Sequence, residues 1–295
     1  MIFEDDYKDE VSLIDHLARE LNHGRLALVL GAGISKPFGL PDWEELIDRM
    51  FAAKASTREK SESLLSQAEF LKNTFFLRDL RGFLQLIHDC LNQSCDITFE
   101  KLRQNETLSA IGALVMSSKR GNVAEILTFN YDNLLELYLS FHGFVCHSIS
   151  SEKHWRVASD IAILHPHGYL PAHQPKGFST NIVLDTESYS SIVGDQANVW
   201  FQSSMSILRH KTPIFIGISG DDSNLDAMLV RSRDGHPAIE ENWAYFGIAI
   251  GRDVSATKRS KWEQRKIFVK ELSNYSELPS LLFRICQRAA EKRKA

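Results

Sequence analysis

The chain has 295 residues, of which 43% are hydrophobic and 24% are charged, and this composition excludes an intrinsically disordered polypeptide. Its formal net charge of −4, from 34 Lys and Arg against 38 Asp and Glu residues, argues against a dedicated nucleic-acid-binding protein. The apolar runs are shorter than the roughly 20 residues that a membrane helix needs, and residues 4–6 are acidic where a signal peptide would be basic, so we expect a cytoplasmic protein.

Four cysteines are present, and no two of them form the C-x-x-C pair that is typical of structural zinc sites; they are Cys90, Cys95, Cys146 and Cys286. A disulfide framework is not indicated either. We therefore expect buried or half-buried thiols, and no zinc or other metal.

The first predicted elements are a helix and a strand that ends in glycines. Residues 8–23 place apolar side chains at helical spacing, which predicts an amphipathic helix. The apolar run Leu26–Leu30 is closed by Gly31 and Gly33. A short apolar run closed by glycines is typical of a buried parallel strand that leads into a loop.

A helical insertion is predicted after this first strand. Asp42 and Glu45 have the spacing of a capping box, so a helix begins after Asp42. Residues 51–118 are mostly charged and leucine-bearing and contain no clear strand, which predicts a helical insertion. A second buried strand at 123–129 then leads into a helix that carries Leu134.

The second half of the chain alternates between strands and helices. We predict strands at 161–164, 181–184, 213–216 and 243–250, helices at 196–209 and from Asn224, and a basic helical segment at 252–295. The alternation predicts an α/β, Rossmann-like fold, with a mostly parallel sheet and helices on both faces. We expect residues 1–295 to form a single domain.

Four polar loops follow predicted strands, after residues 30, 129, 164 and 216. In open parallel sheets, ligands bind at the carboxyl ends of the strands. The sequence therefore predicts one site that is built from these four loops.

The first loop runs from Gly31 through Ala32 and Gly33 to Ser35. A glycine pair after a strand lets backbone N–H groups approach a phosphate closely. The third glycine of the dinucleotide-binding fingerprint is replaced by Lys36, so the ordinary dehydrogenase pattern fails. A tight turn without a ligand is the alternative interpretation.

The second and third loops carry polar side chains that suit ribose and proton transfer. Thr128, Asn130 and Asp132 suit ribose hydroxyls or a positioned water, although Asp132 could equally cap the next helix. His165 and His167 follow the next strand, and a histidine can accept a proton at neutral pH. Two loop histidines with satisfied hydrogen bonds are the alternative.

The fourth loop contains Gly217, Ser219, Asp221 and Asp222. Its small residues allow close backbone approach, and its hydroxyl and carboxylate groups suit ribose. The Asp pair could instead cap the helix that starts near Asn224, or hold magnesium.

The ordered motifs G-A-G-I-S, G-L-P-D, T-F-N-Y-D, H-G and G-I-S resemble the sirtuin superfamily, over roughly residues 25–250. They look most like the sirtuin-like NAD-hydrolysing domains of bacterial antiphage defence systems. The resemblance implies a Rossmann-like fold that binds NAD as its substrate.

The resemblance also implies roles for individual residues. It makes Asn130, His167 and Asp132 catalytic, with His167 as the base and Asp132 orienting the pair or binding ribose. The implied cofactor-binding set contains Gly31, Ala32, Gly33, Ser35, Asp42, Thr128, Gly217, Ser219 and Asp221.

Two departures from the family bear on the reaction. The four-cysteine zinc module of protein-deacylating sirtuins is missing, and Trp43-Glu44 follows Pro41-Asp42 where those enzymes have Phe-Arg. We therefore predict an NAD glycohydrolase that releases nicotinamide and ADP-ribose. The alternatives are an NAD-dependent deacylase, or a non-catalytic module that binds NAD or ADP-ribose.

An uncontrolled NAD hydrolase would kill its host, so we expect control by a homo-oligomer or a partner protein. In the resembling family such partners include hexameric translocase-type ATPases and short Argonaute-type proteins. The insertion 51–118 and the basic segment 252–295 are the candidate docking surfaces, although a charged segment is usually a solvated face. We expect neither membrane attachment nor direct nucleic-acid binding.

Overall fold

The computed structural model describes residues 2–116, 121–150, 158–172, 182–194 and 198–292. Seven strands of these residues form one sheet: β1 (Leu26–Leu30), β2 (Glu125–Thr128), β3 (Cys146–Ile149), β4 (Ile161–Leu164), β5 (Thr212–Ile216), β6 (Gly247–Gly251) and β7 (Ile267–Glu271). Their order is β3-β4-β2-β1-β5-β6-β7, and every neighbouring pair is parallel. The predicted α/β, Rossmann-like fold is confirmed.

The central strand β1 explains the two-sided core. All five of its residues are buried, and Leu28 lies opposite Ile126 of β2 and Ile214 of β5. Successive side chains of a strand point to opposite faces. Leu28 accordingly packs into one hydrophobic core, and Val29 packs into the other.

The helices lie on both faces of the sheet, as predicted. In chain order they are α1 (Glu4–Lys8), α2 (Glu10–Asn22), α3 (Trp43–Ala53), α4 (Leu64–Phe75), α5 (Leu80–Asn92), α6 (Phe99–Gln104), α7 (Glu106–Val115), α8 (Leu134–Phe141), α9 (Thr186–Gly194), α10 (Val199–His210), α11 (Ser223–Arg233), α12 (Pro237–Glu240), α13 (Ala256–Gln264) and α14 (Glu277–Lys292). Helices α2, α7 and α14 bury apolar residues in the core around Leu28, and α10 and α11 do so in the core around Val29.

Side-chain caps define where the helices of the insertion begin. Described residues 51–116 contain the end of α3, then α4 to α7, and no strand. Each of these helices starts where a side-chain oxygen accepts a backbone N–H of the first turn, which stabilises an otherwise unpaired group. The capping residues of α3 to α7 are Asp42, Ser63, Asp79, Thr98 and Asn105.

Several predicted elements differ from the observed ones. The predicted strand 181–184 is wrong for residues 182–184, which lie in no strand, and Asn181 lies outside the described residues. The predicted helix 8–23 is interrupted at Asp9, whose side chain caps α2. The segment 252–295, predicted as helical, contains β7 between two helices, and β3 was not predicted. Both missed strands are edge strands of four or five residues.

The structure also bears on the four cysteines and on metal and membrane sites. Cys90 and Cys286 are buried, Cys95 and Cys146 are half-buried, and all four are free thiols, as predicted. Within the described ranges, no three His, Cys, Asp or Glu side chains come together as a group that could hold a metal ion. Nor does this part of the chain contain a helix that is long and apolar enough to cross a membrane.

Candidate active site

The four predicted loops meet at one cleft, at the carboxyl ends of the strands. From β1 the chain continues toward β2, and from β5 it continues toward β6 on the other side, so the crevice opens between β1 and β5. The cleft has a volume of about 1110 Å³. It is lined by all the predicted site residues except Ser35 and Thr128: Gly31, Ala32, Gly33, Asp42, Asn130, Asp132, His167, Gly217, Ser219 and Asp221.

The two glycine loops are interlocked at the floor of this cleft. The N–H of Gly31 donates to the carbonyl oxygen of Ile216, and that of Gly33 donates to the carbonyl oxygen of Gly217, both at 3.0 Å. A Cβ atom on Gly31 would lie 2.5 Å from the Gly217 carbonyl oxygen. These N–H groups therefore bond within the protein, and the missing side chains serve the contact between the loops.

Asn130 is buried, and its amide is held by the glycine loop. Its Nδ2 donates to the carbonyl oxygen of Gly31 and to Oγ of Ser35, both at 3.2 Å. Its backbone N–H donates to Oγ1 of Thr128, also at 3.2 Å. Ser35 and Thr128, which do not line the cleft, thus lie behind Asn130 and fix its orientation.

Asp132 also connects two elements from below the cleft. Its Oδ2 accepts from Oγ of Ser35 at 2.8 Å, and its Oδ1 accepts from the N–H of Leu134 at 3.0 Å, at the start of α8. Burial raises the pKa of Asp132, and the hydrogen bonds from Leu134 and Ser35 oppose this rise. Asp132 therefore binds the first N–H of α8 although Asn133 occupies the N-cap position, and the same side chain lines the cleft.

The two histidines of the H-P-H-G loop have different surroundings. His165 is buried with both ring nitrogens engaged: Nδ1 lies 3.0 Å from the carbonyl oxygen of Asn130, and Nε2 lies 2.8 Å from Oε1 of Glu136. His165 does not line the cleft, whereas His167 does. His165 therefore fits the interpretation of a satisfied loop histidine, and His167 does not.

Replacement of His165 by alanine is expected to lower the free energy of unfolding by about 3 kcal/mol, because it leaves a cavity and removes a partner of the buried Glu136 carboxylate. Thermal or urea unfolding measures this loss. The exposed His210 offers a matched control, since His210→Ala should leave the midpoint nearly unchanged. Equal midpoints for the two variants would contradict the structural role of His165.

His167 lies in an aromatic and acidic corner of the cleft. Its ring centroid lies 4.9 Å from that of Phe129 and 5.5 Å from that of Tyr189, and its Nε2 lies 3.8 Å from Oδ2 of Asp222. Burial lowers the pKa of His167, and the charge of Asp222 opposes part of this effect. The imidazole is thus neutral at pH 7 and able to accept a proton.

Three side chains that line this corner were not predicted as site residues. Asp222 was left open between ribose contact, magnesium and a helix cap; it caps α11 by accepting from Leu225, and it also faces His167. Tyr189 lies on a helix that was not predicted, and its ring stacks on Trp43 at 5.9 Å. Trp43 itself was noted only as a departure from the family pattern.

The other acidic residues predicted for the site lie at its rim. Asp221 is exposed and pairs with Lys258 at 2.8 Å. Asp42 caps α3 and pairs with Lys36 at 2.5 Å. Both therefore have protein partners that a ligand would have to share or displace.

Residues 124–270 match the family model described as a SIR2-like domain. The predicted resemblance to the sirtuin superfamily is confirmed. A solved structure described as a SIR2 homolog–NAD complex superposes with a TM-score of 0.51 at 14% sequence identity, and the match covers 97% of this chain and 95% of that one. This likeness shows that the two chains share a sirtuin-like fold.

Three curated relatives match the sirtuin-like chain at modest identity. It is 25% identical over 228 residues to NAD(+) hydrolase ThsA of Acinetobacter baumannii (strain 532279), covering 75% of this chain and 42% of the relative. It is 23% identical over 292 residues to NAD(+) hydrolase ThsA of Bacillus cereus (strain MSX-D12), covering 92% and 56%. It is 25% identical over 222 residues to Defense-associated sirtuin 2 of Bacillus subtilis, covering 74% and 20%. The matched regions thus span about half or less of each relative.

Proposed function

We propose that this chain is an NAD glycohydrolase that cleaves NAD to nicotinamide and ADP-ribose, and that it serves as an effector of antiphage defence. The observation that carries the proposal is His167, a buried imidazole that lines the cleft and whose Nε2 has no hydrogen-bond partner among the described residues. Two of the relatives are named as NAD(+) hydrolases, which supports the substrate, and the third is named as a defence-associated sirtuin, which supports the setting.

The cleft offers NAD a floor of small residues and walls of aromatic ones. At about 1110 Å³ it exceeds the usual range for small-molecule sites, which leaves room for a whole dinucleotide. The pyrophosphate lies against Ala32 and Ser219, where the side chains are small. The nicotinamide ribose then lies toward Asn130 and His167.

The cleavage needs a positioned water and a base rather than a strong acid. Nicotinamide departs from NAD as a neutral molecule, so the bond to ribose breaks through an oxocarbenium-like transition state without protonation of the leaving group. Since Nδ2 of Asn130 is committed to Gly31 and Ser35, its Oδ1 is the amide atom that can accept from water or a ribose hydroxyl. His167 takes the proton of the attacking water.

Replacement of Asn130 by alanine is expected to lower NAD turnover at least ~100-fold, because the water and the ribose lose their orienting group. Nicotinamide and ADP-ribose are separated by chromatography after incubation of the purified chain with NAD. The assay is run at rising protein concentration and with the products of neighbouring genes. His210→Ala, on the solvent side of α10, is the control that should keep full turnover.

The same assay separates the two alternative functions. An NAD-binding module would bind NAD equally well as wild type and as His167→Ala, with no turnover in either. A deacylase would release nicotinamide only when an acylated peptide is added. Nicotinamide release without any peptide is expected, and its absence under every condition would overturn the glycohydrolase proposal.

The proposal extends to location and control. Because its substrate is the NAD pool of the cell, we propose that the protein acts in the cytoplasm as one sirtuin-like domain. Control by a homo-oligomer or a partner protein remains a prediction. The expected sign of such control is turnover that rises steeply with protein concentration or on addition of the partner.

A further inference from the structure

The Nε2 atom of His167 lacks a hydrogen-bond partner among the described residues, which raises the question of which group acts on the imidazole. Buried polar atoms are nearly always hydrogen-bonded, yet no partner reaches this nitrogen among the described residues. Phe129 and Tyr189 contact the ring and carry no charge. Burial and the charge of Asp222 raise the pKa of Tyr189, so its phenol stays protonated. The atom that faces Nε2 is Oδ2 of Asp222, at 3.8 Å.

The local structure holds Asp222 in this orientation. Its Oδ1 accepts from the N–H of Leu225 at 2.8 Å, so one carboxylate oxygen is fixed by the cap of α11 and the other is directed to His167. At 3.8 Å the two groups are not hydrogen-bonded, but a carboxylate at this distance favours a protonated imidazole. The side chain of Asp222 is 16% exposed, which limits screening of the interaction by water.

The other carboxylates near His167 are engaged elsewhere. Asp132 accepts from Ser35 and from the backbone of Leu134. Asp221, the neighbour of Asp222, is largely exposed and pairs with Lys258. Asp222 is therefore the charged group that faces the imidazole among the elements described around it.

We propose that Asp222 is a positioning residue for NAD cleavage that acts through His167. Its carboxylate orients the imidazole and stabilises the imidazolium that forms when His167 takes a proton. In this step the water oxygen bonds to C1′ of the ribose, the bond to the nicotinamide nitrogen breaks with its electron pair moving to the pyridine ring, and the water proton moves to the imidazole of His167. The inference rests on the proposed function.

The first test is the variant Asp222→Asn, which removes the charge and keeps the helix cap, because asparagine caps helices as well as aspartate. We expect kcat to fall about 10- to 100-fold with KM changed less than about 3-fold. Loss of the negative neighbour lowers the pKa of His167, so the acidic limb of the pH–rate profile moves to lower pH. Asp222→Glu keeps the charge and should restore that limb toward its wild-type position.

Asp234→Asn is the matched control for this variant. Asp234 lies at the other end of α11, is exposed and pairs with Arg233, so the same change of charge there should leave kcat and the pH profile unaltered. A rise in KM with an unshifted pH profile for Asp222→Asn would instead mean direct contact with ribose, and this would overturn the positioning role.

A second readout does not depend on turnover. NMR titration of histidine-labelled protein, with the His167 signal assigned by its loss in His167→Gln, measures the pKa of the imidazole directly. A lower midpoint in Asp222→Asn supports the proposal, and an equal or higher one overturns it. A wild-type chain that never cleaves NAD would overturn the proposed function, while the titration would still decide whether Asp222 acts on His167.

Discussion

His167→Ala is expected to reduce NAD cleavage by at least ~10³-fold while the protein stays folded, because general-base catalysis typically contributes 10²- to 10⁴-fold and the residue also orients the water. The ring packs on Phe129 and Tyr189 and makes no hydrogen bond through Nε2 within the described residues, so the variant loses this packing and no bond at Nε2. We expect the free energy of unfolding to change by no more than about 2 kcal/mol. Chromatographic turnover and thermal unfolding measure the two effects.

The histidine pair provides the contrast for this prediction. His165→Ala should lose stability, whereas His167→Ala should lose turnover. If His167→Ala kept more than a tenth of wild-type turnover, the base would have to be another group.

The pH dependence that we expect of NAD cleavage by the wild-type chain follows from the same site. Because burial lowers the pKa of His167, the imidazole remains neutral below its ordinary value of about 6.5. The rate should therefore stay level through neutral pH and fall only on the acidic side of that value. A fall that begins above pH 7 would contradict His167 as the base.

Gly31→Ala is expected to destabilise the fold by about 3 kcal/mol and to abolish NAD binding. The added Cβ would lie 2.5 Å from the carbonyl oxygen of Gly217 and 2.6 Å from Cγ1 of Ile218, and the first of these is backbone that cannot rotate away. Overpacking of this kind costs about 1–3 kcal/mol, and the hydrogen bond from Gly31 to Ile216 is strained as well. For a chain of this size, the melting temperature should fall by about 5 °C.

The control for this variant is Gly194→Ala. Gly194 ends α9 and has open space where a Cβ would be added, so alanine there should be neutral or slightly stabilising. Differential scanning calorimetry compares the melting temperatures, and NAD binding is measured by isothermal calorimetry. Similar midpoints for the two alanine variants would show that the two loops can separate at no cost.

The floor of the site could be predicted from the sequence because it is formed by loops at the carboxyl ends of strands. The runs before Gly31, Asn130, His167 and Gly217 read as buried strands, and parallel strands place their carboxyl ends at one edge. These residues therefore came together as expected, although each motif is short.

The walls of the site could not be predicted in the same way. Which residue of the Asp221–Asp222 pair faces His167 depends on how the chain enters α11, and the sequence pattern of a helix cap is the same in either case. Tyr189 contacts His167 from α9, and no strand motif in the sequence predicts that helix. Its partner Trp43 lies more than a hundred residues earlier in the chain, so only the folded structure joins them.

The edge strands of the sheet were missed for a related reason. β7 contains Ile267, Phe268 and Val269 between charged neighbours, so its apolar run is too short to stand out from a basic segment. β3 is half-buried along most of its length, as an edge strand is, and lacks the continuous apolar pattern of β1.

The interlocked loops after β1 and β5 divide the site into a fixed part and a replaceable part. Gly31 and Gly33 leave no gap beneath Gly217, so neither loop can shift without moving the other. Trp43 and Tyr189 come from helices outside this contact. Substitutions at Trp43 or Tyr189 can therefore reshape the walls of the cleft while the two glycine loops beneath them keep their positions.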